Sequence, residues 1–150
     1  MIYHKDFCDL CSLLNESKVD YLIVGAFAVA FHGAPRFTGD LDVLICPERE
    51  HVERMLSALD RFGFHTHAVT PEYLLTHGKI LQIGRMPVQV HIMTSITGVP
   101  WQEAWTSRDS GAYGGVPVFF IGKTELLRNK SAAARPKDLA DVQALRREDK

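Results

Sequence analysis

The segment from Tyr21 to Ile45 constrains this chain more than any other. Two apolar runs, Tyr21–Val24 and Leu41–Cys46, have the composition of buried strands. Gly25 interrupts the chain after the first run, and the small and apolar residues from Ala26 to His32 suit a helix. Gly33-Ala34-Pro35-Arg36 reads as a loop, because Pro35 disfavours helix at the residue before it. The order predicted is strand, glycine turn, helix, loop, strand. Asp40 and Asp42 stand at the head of the second strand, one residue apart. At that spacing both project from one face, while Leu41 between them points the other way. Two carboxylates so close repel unless a cation or Arg36 neutralises them. Together they can hold a divalent ion through oxygen, and that ion can hold a polyphosphate.

The rest of the chain suits an α/β arrangement. Residues 5–16 have helical periodicity, with Phe7, Leu10, Leu13 and Leu14 on one side. Pro47 is placed to open a helix running to about Phe62, with Val52, Met55, Leu56 and Leu59 inward. Phe64–Val69 is predicted as a weaker third strand and Pro71–His77 as a short helix. Ile80–Ile83 and Val88–Met93 read as a hairpin across Gly84. Residues 97–100 read as a turn, Trp101–Thr106 as a helical turn and Val116–Ile121 as a strand. Residues 123–134 and 136–147 close the chain as two helices. Clustered strands with helices at both ends suit one domain over residues 1–150, a mixed central sheet with helices packed mainly on one face.

Composition narrows the function classes. The chain has 150 residues, 46% of them apolar, and a formal net charge of −1. That is enough apolar material for a core, and no apolar run approaches the ~20 residues that span a bilayer. Asp6 and Asp9 interrupt the start where a secretory signal needs an apolar stretch, so the cytoplasm is the expected compartment. Near-neutral charge gives no bulk electrostatic grip on RNA or DNA. Three cysteines suggest no disulfide framework. Cys8 and Cys11 form a C-x-x-C on the first helix, but no second Cys or His pair follows at zinc-finger spacing, so both are expected to pack as small apolar residues.

Strand, glycine turn, helix, Arg36-x-Thr38-x-Asp40-x-Asp42 and an apolar strand together resemble the signature of the nucleotidyltransferase superfamily, whose fold is polymerase-beta-like. Thirteen residues, Phe27 to Gly39, separate the glycine turn from the acidic pair, as the family allows. Val88–Trp105 is similar to a segment of small bacterial nucleotidyltransferase-like proteins. Asn129–Asp141 resembles the Lys…Arg-x-Lys-Asp-x-x-Asp motif of relatives among abortive-infection, type IV toxin–antitoxin toxins. The resemblance implies metal-dependent transfer of a nucleoside monophosphate from a nucleoside triphosphate to a hydroxyl. It implies Mg²⁺ or Mn²⁺ on Asp40 and Asp42, and phosphates against Gly25 and Ala26 at a helix start. Arg36, Thr38, Lys130, Arg135 and Lys137 are the further nucleotide contacts it implies. A partner protein or self-association is expected to supply the acceptor surface that so small a domain lacks. A toxin–antitoxin or phage-defence module, with pairing rather than chemistry as its role, is the alternative.

Two positions depart from the family pattern. His91 stands where the third carboxylate is expected, which removes one negative charge; Mg²⁺ prefers oxygen ligands, so Mn²⁺ or Zn²⁺ is the less penalised ion. His91 can be a metal ligand, a proton acceptor or the mark of a lost centre, in which case the protein binds nucleotide or a partner without catalysis. Ala26 replaces a Gly or Ser and offers a backbone N–H without a hydroxyl. Several other residues carry alternatives. Arg36 bridges phosphate oxygens or pairs with Asp40 or Asp42. Lys137 faces nucleotide or pairs with Asp138 or Asp141, two carboxylates expected to cap or orient the basic residues. His32 is expected to hydrogen-bond at a helix end. His65 and His67 fall on the weak strand at an alternation that suits a metal pair or simple edge placement. Trp101 and Trp105, one turn apart, are expected to seal the core under the last helices.

Overall fold

The computed structural model describes residues 4–36, 38–65, 68–85 and 88–148. The first half of the chain runs α1 (Lys5–Glu16), β1 (Tyr21–Val24), α2 (Gly25–Phe31), β2 (Asp40–Ile45) and α3 (Arg49–Phe62). Next come α4 (Pro71–Leu75), β3 (Ile80–Arg85), β4 (Val88–Met93) and α5 (Trp101–Thr106). The chain closes with β5 (Asp109–Tyr113), β6 (Val116–Phe120), α6 (Lys123–Ala133) and α7 (Pro136–Arg147).

The strands form one mixed six-stranded sheet in the order β3-β4-β2-β1-β6-β5. β1 pairs antiparallel with β2 and parallel with β6, and β2 pairs parallel with β4. The hairpins β3–β4 and β5–β6 form the two wings. The central strands are the most apolar and the most covered: all four residues of β1 are buried, as are Leu41, Val43, Leu44 and Ile45 of β2. Burying each of these aliphatic side chains contributes roughly 1.5–3 kcal/mol. Asp40 and Asp42 are only half-covered on the same strand, so β2 alternates between core and open face in its first half and is enclosed in its second.

Helix ends follow local chemistry. Gly63 adopts φ 103° and closes α3 in the left-handed region. Thr70 caps α4 by accepting the Tyr73 N–H at 3.1 Å, with Pro71 in the first turn. α3 starts at Arg49, two residues after Pro47, because Glu48 keeps an extended backbone as its N-cap. α1 buries Phe7, Leu10, Cys11 and Leu14; Cys8 and Cys11 are free thiols.

Two expectations need correction. Among the described residues between Gly63 and Thr70 there is no strand, and His65 lies in irregular chain; His67 falls outside the described residues. β3 and β5 are the two edges of the sheet, and none of the described residues of that segment pairs with either. Conversely, Asp109–Tyr113 is a strand that periodicity does not signal, paired with β6 through a Gly114-Gly115 turn at φ 54° and 86°. Trp105 stacks on Trp101 at 5.2 Å and meets Phe119 of β6 edge-on at 5.6 Å, so the tryptophans pack against that strand. Described helices include none long and apolar enough to cross a membrane.

Candidate active site

Register places the central side chains in one row. Across the sheet, Val24 pairs with Asp42, Asp42 with His91, and His91 with Gln82. Residues in register share a face, so Asp42, His91 and Gln82 stand side by side above the sheet. Asp42 Oδ1 lies 2.9 Å from His91 Nδ1, and each side chain is about a quarter exposed (24% and 23%). Asp40 sits one pleat further along the same face. Its backbone N–H donates to Thr38 Oγ1 at 3.1 Å, so Thr38 fixes the start of β2.

Gly25 makes room for this row. It adopts φ 66°, which L side chains rarely take, and a Cβ there would overlap Asp42 Oδ2 and stand 2.9 Å from Asp42 Cγ. The strand-to-helix turn therefore admits the carboxylate only because residue 25 has no side chain. Ala26 is buried and turns its methyl inward. Val24, the N-cap residue of α2, makes no side-chain cap.

Opposite the acidic face stand α6 and α7. Asn129 donates to Thr97 O and Arg128 to Gly98 O, each at 2.9 Å, which clips α6 to the turn after β4. Lys130 is buried and reaches Asp138 at 3.2 Å and Asp141 at 3.1 Å. Arg135 Nε donates to Asp138 at 2.6 Å, and Arg36 Nε to Asp141 at 2.9 Å. Three cations against two carboxylates leave this latch one charge positive. Burial pushes the Asp138 carboxyl up, but the Arg135 and Lys130 hydrogen bonds outweigh it and hold it below the ordinary value of 3.8. Arg135 is raised by its hydrogen bond to Asp138 first, and more weakly by the charge of Asp42 across the gap.

Sheet and helices enclose a cleft of about 750 Å³, bordered by Gly25, Asp40, Asp42 and His91 on one side and by Lys130, Arg135 and Lys137 on the other. Ala26, Arg36 and Thr38 do not border it. Arg36 pairs with Asp141 rather than with Asp40 or Asp42, and lines a shallow hollow beside α7. The carboxylates of α7 are taken by Lys130, Arg135 and Arg36, and Lys137 has no ion pair with them. His32 Nε2 lies 2.7 Å from Ile121 O, at the helix end. The cleft also gathers residues to which the sequence assigned no role: Gln82, His77, Ser95 and Asn129. Ser95 and Asn129 fall inside the family-like segments, Gln82 alternates with apolar neighbours on a strand, and His77 had no signal.

Among the described residues, the one group of three metal-type side chains with ligand atoms all within 4.8 Å is Cys46, Glu48 and His51, past the far end of β2. Asp40, Asp42 and His91 do not draw together to that degree, because Asp42 is tied to His91 and Asp40 stands apart. Burial, then the Glu48 charge, pushes the Cys46 thiol up to about 11.

Neither a protein-family model nor a curated protein sequence matches the chain. Solved structures do. The lincosamide antibiotic adenylyltransferase LnuA, solved with lincomycin bound, superposes with a TM-score of 0.63 at 17% identity over 97% of each chain. The antibiotic-resistance factor ANT(2'')-Ia gives 0.64 at 12% identity, over 96% of this chain and 82% of that one. An antigenic nucleotidyltransferase-like protein from Paracoccidioides brasiliensis gives 0.54 at 15% identity, over 92% and 72%. At these identities the likeness is one of architecture, and the architecture is the nucleotidyltransferase fold.

Proposed function

We propose that the chain transfers a nucleoside monophosphate from a nucleoside triphosphate to a hydroxyl on a small molecule, releasing pyrophosphate. The observation that carries this reading is the Asp42 carboxylate seated against Gly25 and facing a basic helix wall across the cleft. A triphosphate brings about four negative charges, which need cations on more than one side. Lys130 on α6, Arg135 at the N-cap of α7 and Lys137 in the first turn of α7 supply them. Asp40 and Asp42 would hold a divalent ion, which supplies counter-charge to the phosphates when bound. The donor set is two carboxylates and an imidazole, so it fits Mn²⁺ better than Mg²⁺. In the reaction the acceptor hydroxyl gives up its proton to His91 or to solvent, its oxygen bonds to the α-phosphorus while the bond to the bridging oxygen breaks, and pyrophosphate leaves.

Room for a second substrate adjoins the first. A hollow of about 680 Å³ shares His77, Ser95 and Ile96 with the cleft and adds Val99 and Trp101 as apolar surface. An apolar wall with a few polar groups suits a small organic acceptor. LnuA, of the same fold, was solved with such a molecule. The test is pyrophosphate release from each of the four nucleoside triphosphates with Mn²⁺, against lincomycin and other polyhydroxylated small molecules. Release with at least one acceptor, lost in Asp40→Ala and Asp42→Ala, is expected. Equal release by the variants would contradict the assignment.

A second reading is favoured by the Asp42–His91 bond, which ties off one carboxylate oxygen. In it the cleft binds nucleotide, or the fold serves a partner, without transfer. Activity that appears only in His91→Asp would support it. A toxin role adds one readout: growth arrest on expression that disappears when Asp40 and Asp42 are both replaced by Ala.

A further inference from the structure

We propose a second metal site, separate from the nucleotide cleft, in which Cys46, Glu48 and His51 bind one divalent ion of the zinc class. The three residues lie within six positions of sequence, around the exit of β2 and the start of α3. Cys46 lies six residues from Asp40 along an extended strand, so roughly 20 Å separates the two centres.

Backbone bonds already fix the ligands. The Cys46 N–H donates to Asp20 O at 2.9 Å, and Pro47 restricts the link to Glu48. The His51 N–H donates to Glu48 O at 3.0 Å in the first turn of α3. The imidazole is held as well, with Nδ1 accepting the Asp20 N–H at 3.1 Å and Nε2 lying 3.8 Å from Asp20 Oδ2. Sulfur, nitrogen and oxygen atoms therefore stand within 4.8 Å of one another on a rigid corner. Cys46 is 5% exposed and the His51 side chain 12%, while Glu48 faces solvent and leaves a path for an ion.

The donor set selects the ion. Mg²⁺ and Ca²⁺ require oxygen shells, whereas thiolate with imidazole and carboxylate is a zinc-type set. Asp20 Oδ2, 3.8 Å from His51 Nε2, stands outside the group of three and is placed to orient the imidazole. Coordination through His51 Nδ1 exchanges the one neutral hydrogen bond from the Asp20 backbone for a bond to the metal. The ion would join the entry of β1, the exit of β2 and the start of α3.

Cobalt titration of the chelator-stripped full chain tests this, with Asp40→Ala and Asp42→Ala in the background to remove the cleft as a competitor. The expected result is a thiolate-to-cobalt charge-transfer band saturating at one equivalent and displaced by Zn²⁺. The band should vanish in Cys46→Ser and survive in Cys8→Ser. Glu48 is exposed, so Glu48→Gln keeps the fold, and it should weaken Zn²⁺ at least tenfold, the loss that even an outer partner typically causes. Absence of the band, its survival in Cys46→Ser, or unchanged Zn²⁺ affinity in Glu48→Gln would overturn the proposal.

Discussion

Gly25 and Asp42 compete for one volume, and the fold gives it to the carboxylate. In Gly25→Ala the new methyl must displace Asp42 or move the turn, and the left-handed backbone alone costs about 1–2 kcal/mol. The expected outcome is a lower melting temperature together with loss of metal-dependent nucleotide binding, read by thermal unfolding and calorimetry on the same sample. His91→Asp makes a different prediction. Two carboxylates would then face each other across the β2–β4 ladder, where like charges destabilise. The variant should melt below wild type in chelator and recover on adding Mg²⁺, to which wild type responds weakly. A melting temperature indifferent to Mg²⁺ would place residue 91 outside any metal shell. At this scale the sequence was legible where a motif fixed the backbone, as with Asp40 and Asp42. It was not legible for Arg36, whose neighbour in the chain is the acidic pair but whose partner is Asp141, 105 positions away.

Between elements, the α6–α7 latch sets how the basic wall stands. Asp138 is fully buried and accepts from both Lys130 and Arg135. Asp138→Ala leaves Lys130 buried with Asp141 alone, and removing one partner of a buried pair costs about 3 kcal/mol or more. Arg135 is largely exposed, which favours the low end and a fall in melting temperature of roughly 6–12 °C. Acid should have a related effect. The Asp138 carboxyl is depressed in the folded protein, so its stabilisation is complete above the ordinary value of 3.8 and is lost as pH falls from there through its folded value. An acid unfolding transition in wild type, less steep in Asp138→Asn over the same interval, is the expected measurement. Helices with strong periodicity, such as α1 and α3, could be placed from the sequence, as could the central strands. β5 could not, since Asp109-Ser110-Gly111 has neither alternation nor β-branched residues and becomes a strand by pairing with β6. Its one local sign was the Gly114-Gly115 pair, a hairpin turn by composition.

As a whole, the molecule divides its charges between two walls of one cleft. The formal net charge of −1 hides this, because the acidic pair on the sheet and the basic residues on α6 and α7 cancel in the sum. The element order was readable because the glycine turn and the acidic strand anchor it. The cleft was not, because it forms only when residues over 100 positions apart are brought together by the parallel pairing of β1 with β6 and by the clip on α6. The central claim is that this cleft holds a metal–nucleotide complex on Asp42. Calorimetric titration of the four nucleoside triphosphates with Mn²⁺ and then Mg²⁺, on wild type and Asp42→Ala, tests it most directly. Metal-dependent binding, stronger with Mn²⁺ and abolished in Asp42→Ala, is the predicted result. Absence of binding by any nucleotide with either ion, or binding undiminished in Asp42→Ala, would contradict it.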